Sequence, residues 1–233
     1  MPLPPGVYRA DHVGSLLRSK EIKTGRAQVA AGKLNASELR NVENAQITAL
    51  VQKELDAGLK SITDGEFRRA YFHLDFLQQL GGVETQGSIA SSGSINDGMS
   101  PPKLAVTGKL THPKNVQVDD YLFLKDVLNK AHGGAPATTK VCIPSPTMVH
   151  FRGGRASIDI AAYPDLDVFF EDLARVYQEE IDALYKAGAR FIQLDDTNLA
   201  YLCDEKMRQA ARDRNDDPDE LPRKYAVCII FYS

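Results

Sequence analysis

The sequence predicts an α/β protein of the TIM-type (β/α)8 barrel class. Five or six strands are recognisable, interrupted by a Gly/Ser-rich hairpin excursion. Three observations lead there. Short apolar strands alternate with helical patterns of 12 to 22 residues, the rhythm of parallel β/α units. Two strands end in acid, where barrel enzymes place their chemistry: Phe191–Leu194 runs into Asp195 and Asp196, and Lys60–Thr63 runs into Asp64-Gly65-Glu66. No G-x-G-x-x-G follows the first strand, which counts against an open nucleotide-binding sheet. A full barrel needs eight strands and about 250 residues. With 233 residues, part of them in the excursion, the chain reads as one partial barrel domain over 1–233.

The first strand is expected at Val7–Val13, broken by Gly14-Ser15. Asn35-Ala-Ser-Glu38 forms a capping box, with Leu34 and Leu39 at the staple positions. The helix it opens runs to Ala57, carries Ile47, Leu50, Val51 and Leu55 at helical spacing, and ends at Gly58. After strand Lys60–Thr63, Arg68–Leu80 reads as an amphipathic helix. Residues 81–102 turn rich in Gly and Ser, yet Leu104–Leu110 is strand-like again. The excursion at about 81–118 is therefore expected to hold a hairpin within one domain.

Asp119–Ala131 is a helix with Leu122, Val127 and Leu128 inward, closed by Gly133-Gly134. Lys140–Ile143 is a buried strand stopped by Pro144-Ser145-Pro146. Leu166–Ala187 has the strongest apolar stripe, from Phe169 and Phe170 through Leu173, Val176, Tyr177, Ile181 and Leu184. After strand Phe191–Leu194 come a polar helix, Asp204–Arg214, and another beginning at Asp217-Pro218. The apolar run Ala226–Tyr232 is the candidate sixth strand.

Composition narrows the class of function. Hydrophobic residues are 43% and charged residues 25% of the chain, with a net charge of −3 and no basic cluster. Nucleic acid is not the expected partner. No apolar run approaches the ~18 residues of a membrane span, and the N-terminus lacks the pattern of a secretory signal. Three cysteines, Cys142, Cys203 and Cys228, give no disulfide framework and no C-x-x-C, which suits a reducing, cytoplasmic setting.

The candidate site follows from the strand ends. Alternation sends one of Asp195 and Asp196 inward and the other towards the wall or loop; the inward one can hold an amine or a proton, and an N-cap or salt bridge is the other use. Gly65 lets Glu66 turn towards the barrel mouth, with Arg68 and Arg69 in reach to neutralise it. Gly14-Ser15 offers an N–H and a hydroxyl for a carboxylate, or forms an ordinary turn. Ser145, in its rigid Pro-Ser-Pro bend, can form a pocket wall, as can His12 and Arg152. Arg152-Gly-Gly-Arg155 is either an anion-binding or a solvated basic loop. The five histidines show no metal spacing, so no metal ligand is assigned.

Four segments together resemble the cobalamin-independent methionine synthase family, in particular its short single-domain members related to the catalytic C-terminal half. They are Asp11-His-Val-Gly-Ser-Leu-Leu-Arg18; Thr63-Asp-Gly-Glu66 with Arg68-Arg69; Ile143-Pro-Ser-Pro146 with Phe151-Arg-Gly-Gly-Arg155; and Ile192-Gln-Leu-Asp-Asp196 with Tyr201-Leu-Cys-Asp204. The resemblance covers about residues 7–225. It implies a (β/α)8 barrel and methyl transfer from a methylated folate to the thiol of homocysteine, with zinc holding that thiol as the thiolate nucleophile. It places Ser15 near the substrate carboxylate and Glu66 and Asp195 at the amino group, with Asp196 in support.

The family's zinc ligands begin with a His-x-Cys on a later strand, and no His-x-Cys occurs in this sequence. The chain is therefore expected to be a family member cut before its zinc ligands. Two alternatives to homocysteine methylation stand beside it: zinc-dependent alkyl transfer to another thiol, and a non-catalytic partial barrel that self-associates through an open sheet edge.

Overall fold

The computed structural model describes residues 10–86, 102–131 and 137–230. Two helices lead in. In α1 (Lys20–Ala30) the Ser19 hydroxyl caps the Ile22 N–H. In α2 (Ala36–Asp56) both bonds of the predicted capping box form: Glu38 N–H donates to Asn35 Oδ1 at 3.0 Å, and Asn35 N–H to Glu38 Oε2 at 2.8 Å. The sequence reading gave no helix at α1, whose buried face is only Ile22 and Gly25. A Cβ at Gly25 would stand 3.0 Å from Leu39, so the absence of a side chain lets α1 lie against α2.

After α2 come β1 (Ser61–Ile62), α3 (Leu74–Leu77), β2 (Gly81–Gln86) and β3 (Lys103–Thr111). β2 and β3 pair antiparallel, which is the hairpin expected in the excursion. Its register shifts between Gly81 and Val83. Gly82 sits there at φ 80°, and a Cβ would meet the Lys109 carbonyl at 2.5 Å, so only glycine fits. The chain continues through α4 (Val118–Ala131), β4 (Thr138–Thr139), β5 (Val141–Pro144), α5 (Met148–Phe151) and a 3-10 turn at Gly154–Ser157. It ends in α6 (Leu166–Ala187), β6 (Ile192–Asp195), α7 (Asn198–Tyr201), α8 (Glu205–Asp213) and α9 (Leu221–Ile230).

Parallel pairing organises the centre. β1 pairs with β4, and β5 with β6. Only Lys140 separates β4 from β5, and its N–H donates to the Ile62 carbonyl at 2.8 Å. One run of chain thus lies between β1 and β6, and the C-terminal ends of three parallel segments stand side by side. Closure into a full barrel is not seen among the described residues.

Apolar burial fixes the helices around this arc. Phe169, Leu173, Val176 and Leu184 of α6 are 0% exposed, each contributing roughly 1.5–3 kcal/mol on burial. They join the hairpin, β5 and α9 in one core; Ile22, Ile47, Val51, Ile62, Phe67 and Leu124 form a second beneath β1. Gly188, at φ 108°, terminates α6 in the left-handed conformation.

Four expectations need correction. Of the Val7–Val13 strand, residues 7–9 lie outside the described residues, and 10–13 form a loop. Arg68–Leu80 is helical only at α3, because the Asp75 carboxylate takes the Ala70 and Tyr71 N–H groups at 3.1 and 2.7 Å and offers the backbone an alternative to the helix. Leu122 faces outward, 44% exposed; Tyr121, Leu124, Val127 and Leu128 make the inner face of α4. Of the run Ala226–Tyr232, residues 226–230 are helix in α9 rather than strand and 231–232 lie outside the described residues; Leu221, Tyr225 and Cys228, at helical spacing, are buried in the α6 core. Gly133-Gly134 lies outside the described residues.

Candidate functional site

The C-terminal ends of the three parallel segments bring Glu66, Cys142 and Asp195 together. Their ligating atoms all lie within 4.8 Å of one another. Glu66 is 2% exposed and Cys142 6%. Glu66 reaches the cluster by an unusual backbone: Gly65 has φ 65° and Glu66 itself φ 56°. The Asp64 carboxylate accepts the Glu66 N–H at 2.8 Å, and the Thr63 hydroxyl oxygen accepts that of Gly65 at 3.3 Å, holding the turn.

Each acid has a polar partner. Ser15 Oγ donates to Glu66 Oε2 at 2.6 Å, and the Arg69 guanidinium lies 3.8 Å from the same oxygen. Arg69 is buried, and it also donates to Gln117 Oε1 at 2.9 Å and to the Cys142 carbonyl. Gln193 donates to Asp195, and also to the Val13 carbonyl at 2.8 Å. Burial raises the Asp195 carboxyl above the usual carboxylate range, Glu66 adds to the rise, and the Gln193 bond opposes it. Burial, with Asp195 contributing, pushes the Cys142 thiol up to about 12. The cluster thus presents two carboxyls around an uncharged thiol, with the Arg69 and Lys140 charges acting on it.

Asp196 points to other partners. Its Oδ1 accepts the Asn198 and Leu199 N–H groups at 2.8 and 3.3 Å, at the start of α7. Its Oδ2 accepts from Ser145 Oγ at 3.0 Å and lies 3.5 Å from Thr147 Oγ1. Ser145 is fully buried and belongs to this bend. His12 sits in the loop before Ser15, and its Nε2 lies 3.7 Å from Glu54 Oε1. Of the two neighbouring arginines, Arg68 turns away to Glu43, Asn44 and Asp120. The sequence reading did not single out Cys142, Gln117 or Lys140 for the site. A buried lysine or cysteine inside an apolar strand shows no signal until the strand's neighbours are known.

Arg152 lies at a separate cavity of about 700 Å³, between the hairpin and α5. His73, Leu104, Val106, Met148 and Ile158 share its lining. His73 is 8% exposed, and its Nδ1 has no hydrogen-bond partner. Burial, together with the Arg152 charge, pushes this imidazole down to about 4, so it stays neutral at physiological pH.

Zinc has a narrow choice here. Among the described residues, Glu66, Cys142 and Asp195 are the group that could hold a metal ion. Zinc sites favour thiolate and imidazole ligands. This set has one thiol and no histidine, and Glu66 Oε2 already serves Ser15 and Arg69. The set does not fit zinc, and no zinc step is derived from it.

Comparison with known proteins places the chain. The family described as "Cobalamin-independent synthase, Catalytic domain" matches residues 10–215. The "Uncharacterized protein YxjH" of Bacillus subtilis is 40% identical over 222 residues, covering 95% of this chain and 56% of the relative. A "Methionine synthase" of Saccharolobus solfataricus is 27% identical over 187 residues, covering 80% of this chain and 52% of the relative. A crystal structure from Listeria monocytogenes, described as a "Putative Vitamin-B12 Independent Methionine Synthase", superposes with a TM-score of 0.75 at 39% identity, covering 94% of this chain and 59% of that one. The chain thus spans little more than half the length of the relatives it matches. Among the described residues, no helix is long and apolar enough to cross a membrane.

Proposed function

Because the chain belongs to the cobalamin-independent methionine synthase catalytic-domain family, we propose that it binds the amino-acid end of a homocysteine-type thiol for methyl transfer on a TIM-type barrel. One observation carries this reading: Glu66, buried, and Asp195, partly buried, converge from separate strand ends in one cluster. Two carboxylates packed this closely repel each other. A substrate ammonium group relieves that repulsion and offers three donors to their oxygens. The raised Asp195 carboxyl fits the same account, since a bound cation favours its ionised form and offsets the rise. Ser15, already on Glu66, is positioned to turn its hydroxyl to the substrate carboxylate.

The cavity beside Arg152 and His73 suits the methyl donor, a methylated folate. It is large and lined by both apolar side chains, such as Leu104, Val106, Met148 and Ile158, and polar ones, such as His73 and Arg152, a mixture that suits a ligand with an aromatic body and polar edges. The zinc that the family implies has no fitting donor set among the described residues, so the roles proposed here are recognition and orientation. Acid recognition of an amine also argues against alkyl transfer to a thiol that lacks one.

Calorimetric titration decides the reading. L-homocysteine and L-methionine are expected to bind, and 3-mercaptopropionate, which lacks the amine, is expected not to. Asp195→Asn should weaken L-methionine at least about tenfold, the size of one lost charge-assisted hydrogen bond. Equal binding of the amine-free thiol would overturn the assignment of Glu66 and Asp195. Methionine formation from homocysteine and methyl-folate, followed in parallel, tests the reaction itself.

A further inference from the structure

The loop from Asp11 to Leu16 carries Ser15 and has no regular secondary structure. Side chains hold it. The Asp11 carboxylate accepts from Lys140 Nζ at 2.7 Å and from the Ser61 hydroxyl. The His12 carbonyl also accepts from Lys140, the Val13 carbonyl accepts from Gln193, and the Leu16 N–H donates to Gly65 O at 3.1 Å. A second ionisable pair stands beside that of Asp11 and Lys140: His12 Nε2 is 3.7 Å from Glu54 Oε1, in contact without a hydrogen bond.

Glu54, on α2, is 2% exposed. Its Oε2 accepts the Thr63 N–H at 3.2 Å, in the strand end that leads to Glu66. Its Oε1 is buried without a hydrogen-bond partner and faces the His12 imidazole. A buried oxygen without a partner is costly, so a second use for it is to be expected. One carboxyl therefore bridges the two segments that meet as Ser15 and Glu66.

We propose that Glu54 is a positioning residue for the amino-acid pocket: by gripping both Thr63 and His12 it sets the Ser15 loop against Glu66. The role in binding rests on the amino-acid reading of Ser15, Glu66 and Asp195. The charged and titratable groups around Glu54 are Asp64 from the turn after β1, Asp11 and His12 from the loop, and Lys140 from between β4 and β5. Burial raises the Glu54 carboxyl to about 8; Asp64 and Asp11 add to the rise, while the Thr63 bond and Lys140 oppose it. The neutral acid can donate its proton towards His12 Nε2. The ionised form repels Asp11 and Asp64 and loosens the loop.

The test compares wild type, Glu54→Gln, Glu54→Ala and His12→Ala. Amide exchange of peptides spanning 10–18 is measured from pH 5 to pH 9, corrected for intrinsic rates, with calorimetric binding of L-methionine alongside. Wild-type loop protection should fall by up to about tenfold per pH unit as pH rises towards about 8 and level off above it. Glu54→Gln, which keeps the shape and cannot ionise, should hold its protection and its L-methionine affinity across the range. The ligand's own amine titration is common to both proteins and cancels. Glu54→Ala and His12→Ala should each lose loop protection already at pH 7. Persistence of the pH step in Glu54→Gln, or unchanged protection in His12→Ala, overturns the proposal. His12→Ala keeps the test decisive even if Glu54→Ala does not fold. A loop that behaves as expected in a protein that binds no L-methionine sinks the amino-acid reading and leaves the loop anchor supported.

Discussion

Glu180 offers the sharpest test of how the fold builds the site. It lies on the buried face of α6, 0% exposed. Its Oε2 accepts the Val116 N–H at 2.8 Å and pairs with His112 Nε2 at 2.6 Å, and its Oε1 accepts the Gln117 N–H at 2.7 Å. These N–H groups immediately precede α4, so a carboxylate from another helix caps it. Replacing Glu180 with Ala leaves two backbone donors and an imidazole without their partner. At roughly 1–3 kcal/mol for each of the three groups, the loss is about 3–9 kcal/mol, a large share of a typical domain's stability. Glu180→Gln keeps one acceptor and turns an amide donor on the other N–H, so it should lose about 1–3 kcal/mol. Urea unfolding followed by circular dichroism reads both values from the midpoints at a common slope. The effect should reach the site, because Gln117 Oε1 holds Arg69, and Arg69 stands beside Glu66. In Glu180→Gln, affinity for L-methionine should therefore fall together with stability. A loss below about 1 kcal/mol in Glu180→Ala would refute the claim that this carboxylate caps α4.

Two further predictions concern stability. Glu54 keeps its proton in the folded state up to about 8, whereas its ordinary value is 4.5. The folded protein therefore binds more protons than the unfolded chain between those values, and stability falls as pH rises through that window; Glu54→Gln should flatten the decline by a few kcal/mol between pH 5 and pH 8, seen in thermal midpoints across that range. Gly65→Ala meets a backbone at φ 65° and a Leu50 methyl at 2.7 Å; with about 1–2 kcal/mol for the left-handed backbone and about 1–3 kcal/mol for overpacking, it should lose several kcal/mol in urea and weaken L-methionine by displacing Glu66.

Legibility in the sequence followed the range of the interactions. The α2 capping box, the α6 stripe with its terminal glycine and the hairpin are local patterns, and all are present. Acids at strand ends were visible too, because an apolar run ending in Asp or Gly-Glu is itself a local pattern. What escaped depends on distant partners. The apolar run after Tyr225 fits a strand or a buried helix equally well, and the Tyr225 hydroxyl bond to His150 Nδ1 at 2.9 Å helps to fix it as helix against the α6 core. The helix expected at Arg68 begins only at Leu74, where the Asp75 carboxylate holds the Ala70 and Tyr71 N–H groups, and the stretch before it sends Arg69 inward to Gln117 and Cys142, residues 48 and 73 positions away. The roles of Asp195 and Asp196 are equally non-local: one neighbours Glu66, the other is used up at the start of α7.

Glu66 shows why strain and site coincide. A non-glycine residue at φ 56° costs of order 1–3 kcal/mol and persists only where its surroundings over-determine it. Here they do. Asp64 holds its N–H, the Arg69 N–H donates to its carbonyl at 3.1 Å, and Leu16 binds the carbonyl of Gly65. An extended backbone at Glu66 would carry its carboxyl away from Asp195 and Ser15. Relaxing the turn would therefore gain local stability and lose the convergence of two acids on one point. Glu54 supports the same turn from behind, through the Thr63 N–H. The strained turn, its buried acid and the Ser15 loop thus form one device that sets the Glu66 carboxyl beside Asp195.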